Sequence, residues 1–265
     1  MEVENITITT DDGMRLAVEC RGPKYAPALL LSNSLGTTMA MWDQQVEAFA
    51  SRYRLVRYDG RGQGGSDIPV GSSSMDRLGR DALAVLDGLG INRAHFCGLS
   101  MGGMVGQWLA VRAPDRLLRL VLANTSACMA PPSAWQQRIE GVLANGTAPL
   151  AEASLARWFT PDFLGKQTAR ADWIRQMLLD NDPDGYASCC AAIRDMDQRP
   201  TAKLNAVSTL VIAGESDPAT SVADAAFLVN AAADARLVTL PAAHLSNVEC
   251  PEAFASAVLT HLSGV

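Results

Sequence analysis

The chain has 265 residues, 48% of them hydrophobic and 19% charged, which is typical of a folded globular protein and unlike disordered or fibrous chains. Its formal net charge of −6 provides no basic field for nucleic acid or an anionic membrane, so neither is an expected partner. The length allows one large domain, or a domain with one insertion, and leaves the oligomeric state open.

The N-terminal sequence and the cysteines predict a cytoplasmic protein. The first twenty residues carry acidic side chains where a secretory signal would carry basic ones, and we interpret them as mature sequence. No apolar run approaches the roughly 18 residues needed to span a bilayer. The six cysteines are scattered without the paired spacing of a metal site, so we expect reduced thiols that serve as small apolar side chains.

Strand and helix signals alternate along most of the chain. Two strand-like runs flank Asp11-Asp12-Gly13 and predict an antiparallel hairpin. Further short apolar runs predict strands at 28–34, 54–59, 94–98, 119–125, 208–214 and 235–241. Helical patterns include 75–90, which ends on glycine, and 251–262, which begins with proline. This alternation predicts an α/β protein with a mostly parallel sheet of about eight strands, covered by helices on both faces.

A glycine-rich stretch, Gly60 to Gly65, fits the spacing G-x-G-x-x-G of dinucleotide-binding loops. Such a site needs a helix to begin directly after the glycines, but residues 66–74 contain proline, glycine and serine instead. No acidic residue ends a following strand about twenty residues further on. We interpret the stretch as a tight loop, and we expect no organic cofactor.

The segment Gly98-Leu99-Ser100-Met101-Gly102 fits G-x-S-x-G, with a predicted strand before it and a predicted helix after it. In that setting the serine lies on a sharp, strained turn, and side chains in place of the flanking glycines would collide with neighbouring strand and helix. The pattern therefore predicts Ser100 as a nucleophile.

The alternation of strand-like and helical segments stops between about residues 125 and 203. Here the pattern is helical and is broken by proline, glycine and asparagine. Because strand-like runs precede and follow this segment, it interrupts the sheet and does not end it. We predict a core of residues 1–124 and 204–265 and a helical cap of residues 125–203 over the strand ends.

A serine nucleophile needs a base, and the base needs an acid to orient it. Of the three histidines, His95 lies at the far end of its strand and His261 lies inside a helix, whereas His244 follows the last predicted strand. His244 is therefore the predicted base. Asp217 and Glu215 both follow the strand before it; we favour Asp217, because the proline after it defines a turn, and Glu215 stays open.

Acyl transfer also needs donors for the developing oxyanion. The backbone N–H of Met101, directly after the nucleophile, is one predicted donor. The second should come from the loop after the third strand, and we assign it to Leu35.

Several segments together give a closer resemblance. They are 32–42, 58–67, 98–110, 155–161, 185–197, 210–220 and 240–254. With Ser100, Asp217 and His244 in this order, the chain resembles the α/β-hydrolase fold over nearly its whole length, and these segments resemble the 3-oxoadipate enol-lactonases of bacterial aromatic-acid breakdown. The resemblance implies the same triad and oxyanion donors. It also shows one departure, since many hydrolases of this fold have His-Gly where this chain has Asn33-Ser34.

The resemblance implies that the enzyme opens 3-oxoadipate enol-lactone to 3-oxoadipate through a serine acyl-enzyme, without metal or organic cofactor, in the β-ketoadipate pathway. Because this small-molecule substrate carries a carboxylate, the cap should supply a cation. Trp135 and Arg138 stand three residues apart on one predicted helix and would form an aromatic wall with a charged donor. Rival cations are Arg157, Arg194 and Arg199.

Two other functions fit the same residues. A broad-specificity carboxylesterase or perhydrolase would use the same triad under a cap that only closes an apolar pocket. A hydrolase-fold binding protein could keep the serine as a relic, although complete triad candidates argue against it. Lack of turnover on every activated ester would favour the binding protein.

Overall fold

The computed structural model describes residues 3–129 and 131–264, and its centre is an eight-stranded sheet. The strands are β1 Val3–Thr9, β2 Arg15–Arg21, β3 Ala28–Ser32, β4 Arg54–Tyr58, β5 Ala94–Leu99, β6 Leu117–Ala123, β7 Thr209–Gly214 and β8 Ala235–Leu240. Their spatial order is β1-β2-β4-β3-β5-β6-β7-β8, and β2 is antiparallel to both of its neighbours while the pairs from β4 to β8 are parallel. The predicted hairpin and the mostly parallel sheet are confirmed.

Helices cover both faces of this sheet. Their bounds are α1 Val46–Ala50, α2 Met75–Gly88, α3 Met101–Arg112, α4 Pro132–Asn145, α5 Ala151–Trp158, α6 Pro161–Lys166, α7 Thr168–Leu179, α8 Pro183–Asp195, α9 Val222–Ala231, α10 Ser246–Glu249 and α11 Pro251–Ser263. The Ser74 hydroxyl accepts a hydrogen bond from Arg77 N at the start of α2 (3.1 Å) and satisfies a free N–H there. In the part of the chain that the structure describes, no helix is both long and apolar enough to cross a membrane.

The central strands are buried on both faces, which explains their continuous apolar sequences. Every residue of β3, β5 and β7 is buried, and Leu30 of β3 pairs with Val56 on one side and Phe96 on the other. Because β3 to β8 run parallel, their carboxyl ends meet at one edge of the sheet. The loops that follow these ends therefore lie together at this edge, where they can form a site.

Between β6 and β7 the described residues form five helices, α4 to α8, and no strand. An isolated antiparallel bridge between Cys128 and Asp197 joins the two ends of this segment. We propose that residues 125–203 form a cap on a core of 1–124 and 204–265, because the chain leaves and re-enters the sheet at adjacent strands.

The glycine-rich stretch forms turns, and it packs against α8 in the segment between β6 and β7. A Cβ on Gly62 (φ 73°) would lie 2.5 Å from the Cα of Gly185 near the start of α8, so the two backbones are in direct contact. The Arg61 side chain is buried and pairs with Asp81 at 2.5 Å. The tight loop predicted here is confirmed, and its position shows that the glycines allow α8 to approach the core.

Candidate active site

Ser100 lies between β5 and α3 with φ 57° and ψ −114°, a strained backbone for a residue with a side chain. A Cβ on Gly98 would lie 2.1 Å from the carbonyl oxygen of Gly102, and one on Gly102 would lie 2.1 Å from that of Ser32. The predicted collisions at both glycines are confirmed. The close packing holds the turn that projects the Ser100 hydroxyl from the strand ends.

Ser100, His244 and Asp217 form one hydrogen-bonded line. His244 Nε2 lies 2.9 Å from Ser100 Oγ, and His244 Nδ1 lies 2.8 Å from Asp217 Oδ2. All three residues are buried. Because a carboxylate accepts hydrogen bonds, Asp217 assigns the proton to Nδ1 and leaves Nε2 free to accept the Ser100 proton. The structure thus brings together the three residues that the sequence proposed as a triad.

Asp217 is held as a carboxylate by several donors. Its Oδ1 accepts from the backbone N–H groups of Ala219 (2.8 Å) and Thr220 (3.0 Å), and its Oδ2 from the Thr220 hydroxyl (2.7 Å) and Asn124 Nδ2 (3.0 Å). Burial alone would raise its pKa, but His244 and these hydrogen bonds outweigh burial and lower the pKa of Asp217 to about 2. The acid therefore stays ionised at neutral pH and keeps the imidazole oriented.

The rival residues lie elsewhere. Glu215 is exposed, and its carboxylate accepts from the Thr239 hydroxyl at 3.4 Å. His95 lies at the start of β5, the opposite end from Ser100, and packs edge-on against Tyr53. His261 lies in α11, and its Nε2 is 3.2 Å from the Ser208 carbonyl oxygen. Neither histidine reaches the strand ends that carry Ser100.

The backbone N–H groups of Leu35 and Met101 donate no hydrogen bond to any residue that the structure describes. Both residues belong to segments that meet at the serine, because the Gly102 N–H donates to the Asn33 carbonyl at 3.0 Å. Leu35 and Ser100 line the same cavity, and Met101 begins α3, where N–H groups are free. Two N–H groups without a recorded acceptor among the described residues thus lie on the two segments that meet at Ser100.

The departure at Asn33-Ser34 has a structural explanation. Asn33 Nδ2 donates to the Tyr58 carbonyl (2.9 Å), and Asn33 Oδ1 accepts from Trp42 Nε1 (2.9 Å), so the side chain points away from the cavity and anchors the loop. Ser34 lines the cavity. The substitution of this pair leaves the backbone N–H of Leu35 accessible.

A cavity of about 180 Å³ opens over Ser100 between the strand ends and the segment between β6 and β7. It is lined by Ser34, Leu35, Ser100, Met104, Met129, Trp135, Arg138, Arg157, Trp158, Tyr186, Ile193, Ala219 and His244. The described residues contain no cluster of three or more His, Cys, Asp or Glu side chains that could hold a metal ion. The cavity combines apolar walls with two guanidinium groups.

These two guanidinium groups have no carboxylate partner in the described part of the chain. Arg138 lies over the Trp135 ring at 5.0 Å and donates to the Tyr186 hydroxyl at 3.4 Å. Arg157 donates to the Ser154 hydroxyl at 3.3 Å. Burial lowers the pKa of the Arg157 guanidinium, and the nearby charge of Arg138 lowers it further. Two like charges at one cavity are unfavourable unless an anion joins them.

The other two rivals are neutralised within the protein. Arg194 forms a two-pronged pair with Asp195 at 2.7 Å, and Arg199 pairs with Asp197 at 2.6 Å. Neither arginine lines the cavity. Among the four candidate cations, only Arg138 and Arg157 line the cavity above Ser100, and neither has a carboxylate partner among the described residues.

Two residues, Asn124 and Thr220, donate hydrogen bonds to Asp217 and were not among the predicted site residues. Asn124, at the end of β6, has a left-handed backbone (φ 43°), and its side chain joins Asp217 to the Ala243 carbonyl and the Ser246 hydroxyl. Thr220 follows the acid by three residues. An asparagine directly after a buried strand is a usable signal, because asparagine tolerates this conformation. Thr220 has no comparable signal.

Comparisons with known proteins find relatives that cover nearly the whole chain. A sequence model described as alpha/beta hydrolase fold matches residues 27–251. The chain is 43% identical to 3-oxoadipate enol-lactonase 2 of Acinetobacter baylyi, over 95% of this chain and 94% of that protein. It is 40% identical to 3-oxoadipate enol-lactonase 1 of the same organism, with 96% and 95% covered. The crystal structure of the enol-lactonase from Burkholderia xenovorans LB400 is 40% identical, with 97% and 100% covered and a TM-score of 0.95.

Proposed function

Because the chain belongs to the α/β-hydrolase fold family and, within it, to the 3-oxoadipate enol-lactonases, we propose that it hydrolyses 3-oxoadipate enol-lactone to 3-oxoadipate in the β-ketoadipate pathway. One observation supports the proposal at the level of individual residues. The Ser100–His244–Asp217 line ends in a cavity lined by two arginines that have no carboxylate partner among the described residues. The line supplies the ester chemistry, and the arginines suit an anionic substrate.

The first half of the reaction transfers the acyl group to the enzyme. Ser100 Oγ attacks the lactone carbonyl carbon while its proton passes to His244 Nε2, 2.9 Å away. The negative charge on the carbonyl oxygen is held by the N–H groups of Leu35 and Met101. The ring C–O bond then breaks, and the ring oxygen leaves as an enol after taking the proton from His244.

The second half releases the product. The enol converts to its ketone, which pulls ring opening forward. His244 then takes a proton from water, the resulting hydroxide attacks the acyl carbon, and the Ser100 oxygen leaves and regains its proton. Asp217 stays ionised throughout and stabilises the imidazolium formed in each half. These steps need no metal or organic cofactor.

The carboxylate of the substrate is proposed to bind at Arg138. The Trp135 ring lies 5.0 Å from the Arg138 guanidinium carbon, and a planar guanidinium can form a two-pronged bond to a carboxylate. Arg157 lines the same cavity and has no acidic partner, so it is a second contributor. The two arginines together would attract a small anion into a protein whose net charge is −6.

A cytoplasmic location is part of the proposal. It is supported by the six cysteines, none of which forms a disulfide in the described chain. The substrate is accordingly expected to be a small intracellular metabolite.

The direct test compares kcat/KM for 3-oxoadipate enol-lactone and for p-nitrophenyl acetate, with wild-type enzyme and with Ser100→Ala. We expect the lactone to be preferred by several orders of magnitude, and Ser100→Ala to lower both rates by about 10⁵-fold or more. Equal rates on the two substrates would leave a general esterase or perhydrolase with the same triad. No turnover of either would indicate the binding protein.

A further inference from the structure

The loop that carries His244 is held by hydrogen bonds on both sides of the histidine. On one side, the Ala243 N–H donates to Glu249 Oε2 at 2.9 Å. On the other side, the Leu245 N–H donates to the Trp158 carbonyl at 3.0 Å. The residues immediately before and after His244 are therefore both held by hydrogen bonds, and the His244 side chain itself contacts Ser100, Asp217 and the Thr220 hydroxyl.

The Glu249 carboxylate joins this loop to the cap. Its Oε1 accepts a short hydrogen bond from the Thr160 hydroxyl and lies 3.3 Å from the Thr160 N, while its Oε2 accepts from Ala243. Thr160 also begins α6, where its hydroxyl accepts from the Phe163 N–H at 3.2 Å. Glu249 forms no ion pair with any residue that the structure describes. Its carboxylate thus holds backbone and hydroxyl donors and does not neutralise a cation.

The cap segment held by Glu249 also contacts the cavity. Trp158 lines the cavity with its side chain and holds Leu245 with its carbonyl oxygen, and Thr160 lies two residues further along. The same short segment therefore lines the cavity and contacts the histidine loop. A histidine that accepts a proton at 2.9 Å loses efficiency when its loop shifts by about 1 Å.

We propose that Glu249 is a positioning residue for His244, one that sets the imidazole against Ser100 by joining the histidine loop to residues 158–160 of the cap. This inference rests on the proposed role of His244 as the base. It assigns Glu249 no contact with the substrate, because the carboxylate does not line the cavity. A carboxylate suits the position because two oxygens are needed to accept from two segments at once.

The test uses Glu249→Ala, Glu249→Gln and Thr160→Val, with Glu252→Ala as the matched control. Glu252 is an exposed carboxylate three residues away, in the first turn of α11. Two rates are measured for each variant: steady-state turnover of the lactone, and covalent reaction of Ser100 with diisopropyl fluorophosphate. The second rate reports the activated serine without any requirement for the lactone or the cap arginines.

We expect Glu249→Ala to lower kcat by about 10-fold to 100-fold with KM little changed, and to slow the fluorophosphate reaction by the same factor. Glu249→Gln keeps one acceptor oxygen and loses the other, so it should lower both rates by a smaller factor than Glu249→Ala. Thr160→Val removes the cap donor alone and should lower both rates by a smaller factor. Glu252→Ala should match the wild type.

Three results would overturn the proposal: an unchanged fluorophosphate reaction in Glu249→Ala, a raised KM with unchanged kcat, or a lowered melting temperature with wild-type rates per folded molecule. If Glu249→Ala does not fold, Glu249→Gln and Thr160→Val carry the same comparison. If the wild type does not hydrolyse the lactone but reacts with diisopropyl fluorophosphate, the proposed substrate is wrong. The fluorophosphate rates of the variants then still test the role of Glu249.

Discussion

The two sides of the cavity are constructed in opposite ways. On the core side, every polar group of the Ser100–His244–Asp217 line has a protein partner, and Asp217 alone accepts five hydrogen bonds. On the side of the proposed cap, called the cap side below, Arg138 and Arg157 share one cavity with no acid beside them in the described residues. The charges on the core side are balanced within the protein, whereas no described carboxylate balances the two guanidinium groups on the cap side.

The difference implies that the core side carries out ester hydrolysis and that the cap side sets which substrates are preferred. Preorganised donors around the serine act on any ester that reaches it, because their positions do not depend on the substrate. The uncompensated cations favour substrates that bring a negative charge. Changes on the core side should therefore reduce turnover of every ester, and changes on the cap side should reduce turnover of anionic substrates alone.

The largest loss of turnover is expected from substitution of Asp217, the proposed acid. Asp217→Asn removes the charge that assigns the His244 proton to Nδ1, so kcat should fall by about 10⁴-fold on the lactone and on p-nitrophenyl acetate alike. Glu215→Gln is the matched control, because Glu215 follows the same strand and is exposed; it should match the wild type. A loss confined to the lactone would break the division between the two sides.

A smaller and selective effect is expected from the cap. Arg138→Ala and Arg157→Ala should each lower kcat/KM for the lactone by about 10-fold to 100-fold, chiefly through KM, because a charge-assisted contact to the substrate is lost. Turnover of p-nitrophenyl acetate should not change. Arg194→Ala and Arg199→Ala are controls, since both residues are paired with aspartates. Equal losses on both substrates would remove the arginine concerned from this role.

The smallest effect on turnover is expected at the far end of the sheet. His95 is buried against Tyr53, and burial, with Arg119 and His261, lowers its pKa to about 4. Histidine in the unfolded chain has a pKa near 6.5, so between this pH and pH 4 the unfolded chain binds more protons than the folded chain. The free energy of unfolding should therefore fall as the pH drops, by roughly 2–3 kcal/mol at pH 4.

Urea unfolding between pH 8 and pH 4 checks this, with His95→Phe as the comparison. The variant cannot take up the proton and should lose less stability in acid, with kcat/KM at pH 8 unchanged. A pH dependence identical to that of the wild type would assign the acid sensitivity to other groups. A loss of activity at pH 8 would show that the two ends of the sheet are not independent.

The sheet, the turn at Ser100 and the choice of His244 as the proposed base could all be predicted from the amino-acid sequence. Buried parallel strands need continuous apolar runs, the turn at Ser100 needs glycines at 98 and 102, and three histidines leave few choices for a base. These features depend on residues close together in the chain. Local constraints of this kind leave a readable pattern.

Two features could be read only from the folded structure: which arginines have a carboxylate partner, and which distant loops are joined by hydrogen bonds. Four cap arginines look alike in the sequence, yet two are paired with aspartates and two face the cavity. Glu249 meets Thr160 across 89 positions, and Asn124 meets Asp217 across 93. A hydrogen bond or an ion pair depends on distances of about 3 Å, and no periodicity in one sequence reports the distance between segments that only folding brings together.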